Sequence, residues 1–277
     1  MTVPARVAEG ARAPGRSPRW LRPVLAIVIT ALAVEIAIVL GSVAPRFSTH
    51  AFADRRAILG IPNFGDVVSN AAFLLVGAIG AATVMRLDGS RFVDGRERWP
   101  WVALFVGVML VGLGSAYYHL APDGDRLVWD RLPITVAFMS FFAAMVVERV
   151  SVRLGLAALV VLLPLGAATV LYWASTGDLR PYMVVQLGPM LLVPLLVLGF
   201  PARYTRGRDV LIVLAVYVVA KLAEYLDRPL LEAVGISGHS LKHIIAGLGL
   251  YAVVVMLRRR SAVSPGSRHI IGSSRLS

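Results

Sequence analysis

The 277-residue sequence contains no cysteine. That excludes disulfide frameworks, cysteine-ligated zinc, iron–sulfur clusters and thiol nucleophiles. Charge is scarce too: Asp, Glu, Lys and Arg together make up 16% of the chain, against about a quarter in a soluble domain. Lysine is nearly missing, with only Lys221 and Lys242, and histidine is held to five residues. Apolar side chains fill the space, at 57% of the sequence, above the roughly 45–50% of an ordinary globular chain. For most of its length such a chain has the bilayer as its solvent.

Eight apolar runs are predicted to span, at 23–43, 64–86, 100–120, 131–149, 154–173, 182–200, 209–227 and 239–257. Each is near the roughly 20 residues that cross about 30 Å of hydrocarbon. Lipid offers no partner to a free backbone group, so each must be a helix, and the expected fold is an all-α polytopic membrane bundle. Pro164 and Pro194 are tolerated inside such helices, and Gly107, Gly112 and Gly247 are expected where two backbones pack closely.

The formal net charge of +12 first suggests nucleic acid. Placing the N-terminus inside instead sorts nineteen arginines to inner segments and seven to outer ones, the positive-inside pattern. Both termini are then cytoplasmic, and no soluble basic domain remains to bind nucleic acid. Residues 1–22 read as a disordered basic cytoplasmic N-terminus, and 258–277 as a disordered basic cytoplasmic tail rich in Ser, Gly and Arg. The run at 23–43 reads as a retained transmembrane helix, being longer than a signal-peptide core and carrying Glu35 near its middle. Trp99, Trp101, Trp129 and Trp173 fall near span ends, where interfacial aromatic belts form.

Ionisable residues inside a span are costly and mark function. His119 closes the third span, with Ser115 one turn earlier on the same face; Asp130 opens the fourth, and His239 and His243 open the eighth. All five are expected at one depth on the outer side. Histidines at i and i+4 lie about 5–6 Å apart on one helix face, so His239 and His243 can ligate one metal, with His119 as a third ligand. Three histidines leave a fourth position on zinc for water, whose pKa zinc lowers to about 7. Asp130 is then placed to move protons, and Ser115 to hydrogen-bond an oxyanion.

The strings SAYYH at 115–119, WDRLPI at 129–134 and GHSLKH at 238–243 resemble the alkaline ceramidase family. That family belongs to a superfamily of seven-helix membrane metallohydrolases that also includes the progestin and adipoQ receptors. The similarity covers residues 50–257, with 23–43 as an added N-terminal helix, and NFGDVVSN at 63–70 looks like the family's entry into its first core helix. It implies zinc on His119, His239 and His243, catalytic roles for Ser115 and Asp130, and hydrolysis of a ceramide-like N-acyl lipid to fatty acid and sphingoid-like amine. The fit is closer to bacterial-type ceramidase-like proteins, which implies an inner-membrane location with the zinc site toward the outer face. Where eukaryotic relatives carry an acidic calcium-binding cluster, this chain offers only Asp54 and Asn63, at most weak calcium ligands.

Asp66, Asn70 and Asn63 form a polar stripe at the outer end of the second span, suited either to orienting a zinc ligand or to bonding helices together. Lys221, Glu224 and Asp227 are spaced to pair within the seventh helix, and Lys242 to snorkel or to reach Glu224. Met190, Leu191 and the rest of the fifth and sixth helices read as lipid-facing or packing surface. Two other classes stay open: a receptor-like seven-helix protein with a structural zinc, and an ion-coupled transporter using Lys221, Glu224 and Asp227.

Overall fold

A computed structural model of the protein describes residues 52–263. The basic segment 1–22, the span expected at 23–43 with Glu35, His50, and the residues beyond 263 with His269 lie outside the described residues. The described elements are α1 (Phe64–Val68), α2 (Ala71–Arg86), a 3-10 turn at Gly95–Glu97, α3 (Arg98–Leu120), α4 (Gly124–Arg149) and α5 (Val152–Thr176), followed by α6 (Arg180–Gly199), α7 (Asp209–Tyr225), α8 (Asp227–Val234) and α9 (Gly238–Arg259). No strand occurs among the described residues, and six segments are long and apolar enough to cross a membrane. The protein is an all-α polytopic membrane bundle.

The seventh predicted crossing is the exception. α7 is 17 residues long, about 25 Å at 1.5 Å per residue, and the chain breaks at Leu226 before Asp227 opens α8. Side-chain caps set several starts: Asp123 accepts from the Arg126 amide at 2.7 Å to open α4, and Ser151 from Leu154 at 3.1 Å to open α5. Gly177 and Gly235, both at φ 75°, end α5 and α8 in the left-handed region that favours glycine.

α3 packs on α2 and α4, α4 on α5 and α6, and α9 on α7 and α2, so the long helices close into a ring. Of the neighbours around that ring, α6 and α7 touch least. The expected glycine packing points are observed. A Cβ at Gly107 would lie 2.9 Å from Val136 Cγ1, one at Gly112 2.8 Å from Leu74 Cγ, and one at Gly247 3.0 Å from the Ala72 Cβ. On α2, Gly80 leaves the space that the Phe105 ring of α3 occupies.

The end of the bundle opposite the histidines carries most of the arginines, and several of them are structural. Arg149 donates to the carbonyls of Val197 (3.2 Å), Phe200 (3.3 Å) and Gly207 (2.8 Å), closing the C-terminus of α6. Arg260 is only 1% exposed. Its guanidinium pairs with Glu148 and lies 4.1 Å from the Tyr204 ring centre and 4.8 Å from that of Phe92.

This corrects two expectations. The tail does not begin at 258, because Arg258 and Arg259 are helical and residues 261–263 pair with 203–205, Thr205 N–H to Ser261 at 2.9 Å and Val263 N–H to Arg203 at 3.0 Å. Trp101 and Trp173 are not interfacial. Trp101 is fully buried and donates its indole N–H to Glu148 at 3.2 Å, and Trp173 is buried beneath Arg131. Trp99 and Trp129 do remain exposed. Each buried indole sits under or beside a charged partner that proximity in sequence does not reveal.

Removing one member of a buried ion pair strands the other charge, at a cost of about 3–5 kcal/mol. Arg260→Ala should therefore lower the unfolding midpoint of the detergent-solubilised protein substantially. The double variant Arg260→Met with Glu148→Gln should lose much less, and equal losses in the two proteins would remove the charge pairing as the cause.

Candidate metal centre

His119 lies in the last turn of α3, and His239 and His243 lie on one face of the first turns of α9; all three are buried. The glycine before His239 makes this possible. A Cβ at Gly238 would collide with the Ala223 carbonyl oxygen of α7, so only glycine seats the start of α9 there. Asp227 then accepts from the His239 backbone N–H at 2.9 Å and from the Ala53 N–H at 3.0 Å.

The three imidazoles converge. Their ring centres are 4.7 Å (His119–His239), 4.8 Å (His239–His243) and 5.4 Å (His119–His243) apart, and one nitrogen from each lies within 4.8 Å of the others. His119 Nε2 and His239 Nε2 are 3.1 Å apart. Two nitrogens at zinc–imidazole bond length on a tetrahedral ion would be separated by about 3.3 Å, so this spacing fits a shared metal.

The outer partners of the ligands differ from the expected set. Ser69 Oγ lies 2.8 Å from His243 Nδ1 and donates to the Asp66 carbonyl at 3.2 Å. With a metal on Nε2, His243 would carry its proton on Nδ1 and donate it to the serine, whose own proton would serve the Asp66 carbonyl. Of the predicted stripe, Asn63 donates to the His119 carbonyl at 2.8 Å. Asn70 donates to the Asp66 carbonyl at 2.7 Å. Asp66 reaches no histidine; its carboxylate accepts from Ser237 (2.8 Å) and Ser240 (2.7 Å) and so pins the first turn of α9. Ser69 escapes sequence reasoning because a lone serine at a helix start carries no signal; only the packing of α1 on α9 brings it to His243.

Ser115 and Asp130 are adjacent to the histidines. A Cβ at Gly114 would overlap the Trp129 carbonyl oxygen, so glycine lets α3 and α4 touch at this level. The Ser115 and Asp130 side chains line the same cavity.

The mouth at the histidine end is covered. Phe52 is buried, with its ring centre 4.5 Å from that of His119 and 4.9 Å from that of His239. Asp54 does not offer itself to calcium. Arg56 donates to it from Nε at 2.8 Å and from Nη2 at 2.7 Å and holds its carboxyl below the usual carboxylate range. Arg56 also donates to the Gly235 carbonyl at 2.9 Å, strapping this segment over the site.

Below the strap lies a cavity of about 410 Å³ that both His243 and Asp130 line. It continues past Leu104, Val108, Phe141, Met190 and Leu250 into the bundle, so Met190 faces the cavity rather than lipid. Its polar wall holds the pair expected within α7: Lys221 bonds Glu224. Lys242 joins them at 2.7 Å from Glu224 and stands 3.1 Å from His239 Nε2. Asp227 is excluded from that cluster by its role at the start of α9.

Neither the known protein families nor the curated proteins contain a match to the chain. What the centre can do is therefore argued from its own residues.

The protein purified without chelator should carry about one zinc per chain, measured by elemental mass spectrometry. His243→Ala should abolish retention, and Ser69→Ala should weaken it by about 10–100-fold. A metal-free wild-type preparation of intact fold would exclude the centre.

Proposed function

We propose that this protein is a zinc-dependent membrane amidohydrolase that cleaves the N-acyl amide of a ceramide-like lipid, as the resemblance to alkaline ceramidases implies. One observation carries the reading: three convergent histidines share the polar head of a largely apolar cavity with Ser115 and Asp130. The span from Ser115 down α3 to Leu104, both on the cavity wall, is about 16 Å, depth enough for a long acyl chain. A structural zinc would want a fourth protein ligand. Among the described residues the histidine group includes no fourth member, which favours hydrolase over receptor.

A zinc ion held by His119, His239 and His243 would polarise the amide carbonyl and acidify a water near neutral pH. Asp130 takes the proton of the attacking water and passes it to the departing nitrogen as the C–N bond breaks and the acyl carbon gains oxygen. Ser115 donates a hydrogen bond to the oxyanion and so stabilises its charge. Because Phe52 covers the outer side, the lipid enters sideways where α6 and α7 touch least, a gap crossed by the Gln186–Tyr217 hydrogen bond of 3.2 Å.

With the histidine end outward, as the arginine distribution implies, the site faces away from the cytoplasm of a bacterial inner membrane and both termini face in. The native chain lacks cysteine, so single cysteines report topology cleanly. Asp125→Cys should react with an impermeant maleimide on intact cells, and Ala202→Cys only after permeabilisation; the reverse pattern inverts the orientation.

Turnover is read by mass spectrometry on a panel of lipid amides, with and without chelator. Asp130→Asn should retain zinc while kcat falls by about 100-fold or more; unchanged turnover would remove Asp130 from the mechanism.

A further inference from the structure

Five charged side chains line the cavity: the carboxylates Asp130 and Glu224 and the cations Arg131, Lys221 and Lys242. Both lysines are held by Glu224. Arg131 is the cation left over. It follows Asp130 directly on α4, and its guanidinium lies 4.0 Å from the ring centre of Trp173 and 5.3 Å from that of Tyr182. Its Nη1 is buried and meets no hydrogen-bond acceptor among the described residues, nor does any carboxylate come within ion-pair distance of it there.

A half-buried guanidinium with an orphaned N–H is costly unless an anion completes it. The aromatic faces of Trp173 and Tyr182 hold the cation in place but accept none of its in-plane hydrogen bonds. That planar fork matches carboxylate or phosphate oxygens two at a time. Arg131 and the residue assigned to proton transfer line the same cavity, so an anion bound to Arg131 shares that space with the scissile amide.

We infer that Arg131 is an anion-binding specificity residue, and that the substrate is an N-acyl lipid carrying a carboxylate or phosphate close to its amide nitrogen rather than a neutral ceramide. This rests on the hydrolase reading. The acyl chain occupies the apolar depth, the amide meets the histidines and Asp130, and the anionic headgroup docks on Arg131 at the outer end. A neutral headgroup leaves the Nη1 hydrogen without a partner.

The test uses the full-length zinc-loaded chain in detergent and substrates with one shared acyl chain. N-lauroylglycine is compared with its uncharged glycinamide, and phosphorylated N-lauroylethanolamine with the free alcohol. The charged member of at least one pair should have the higher kcat/KM by about tenfold or more, and the favoured pair identifies carboxylate or phosphate. Arg131→Gln should collapse that preference to near unity, mainly through KM, whereas Arg131→Lys should retain part of it.

A binding arm separates this inference from the hydrolase reading. N-(dodecylsulfonyl)glycine and its primary amide cannot be hydrolysed, and their affinities are measured by calorimetry on the wild type and both variants. If no amide turns over but the charged sulfonyl compound binds more tightly in an Arg131-dependent way, the hydrolase reading falls and the anion site stands. Equal binding of the two sulfonyl compounds to the wild type overturns the anion site. So does an equal loss for charged and neutral ligands in both variants, which would make Arg131 a packing residue on Trp173.

Discussion

The first turn of α9 is the constraint on which the rest of the site depends. His239, Lys242 and His243 all leave from it, and its position is held from three directions. Gly238 presses it onto the Ala223 carbonyl of α7, Asp227 caps the His239 amide, and Asp66 grips Ser237 and Ser240 from α1. In a bilayer none of these polar groups can fall back on water. The same contacts that satisfy the helix start therefore aim two histidines at a third, and a small shift of α9 would strand several buried polar atoms at once.

The two ends of the bundle use buried polarity differently. At the arginine-rich end the pairs are closed: Arg260 with Glu148, and Arg149 with the carbonyls that end α6. Arg260 Nη2 has no hydrogen-bond partner among the described residues, but Arg260 is packed among Phe92, Trp101 and Tyr204 and does not line the cavity of the histidine end. At the histidine end completion is partial. Three imidazole nitrogens point at a common space, and Arg131 keeps an unpaired N–H beside a cavity. A membrane protein keeps such incomplete groups where something else supplies the missing partner.

That contrast ties the proposed chemistry to the proposed specificity. Metal ligands, proton carrier and guanidinium lie within one short stretch of the cavity's polar head, while the apolar remainder runs between the helices. The Phe52 strap closes the aqueous side, which leaves the bilayer as the route in. On the proposed reading, the substrate is one already dissolved in the membrane.

Much was legible in the amino-acid order, because it follows from local rules. Long apolar runs must be helices in lipid, and i, i+4 spacing places His239 and His243 on one face. Matching depth brings His119, Ser115 and Asp130 toward them, and glycines such as Gly107 and Gly112 mark close packing. Side-chain partners were not legible where they depend on helix rotation and on the packing of distant segments. Only the folded bundle turns Ser69 to His243, ties Asp54 to Arg56, and buries Trp101 and Trp173 against charges instead of at the interface. The sequence by itself determined the solvent, the helices and the residue types of the centre, since hydrophobic length and periodicity are properties of one segment. The tertiary structure decided which polar group completes which, since in a medium without water each completion is a pairwise matter between helices far apart in the chain.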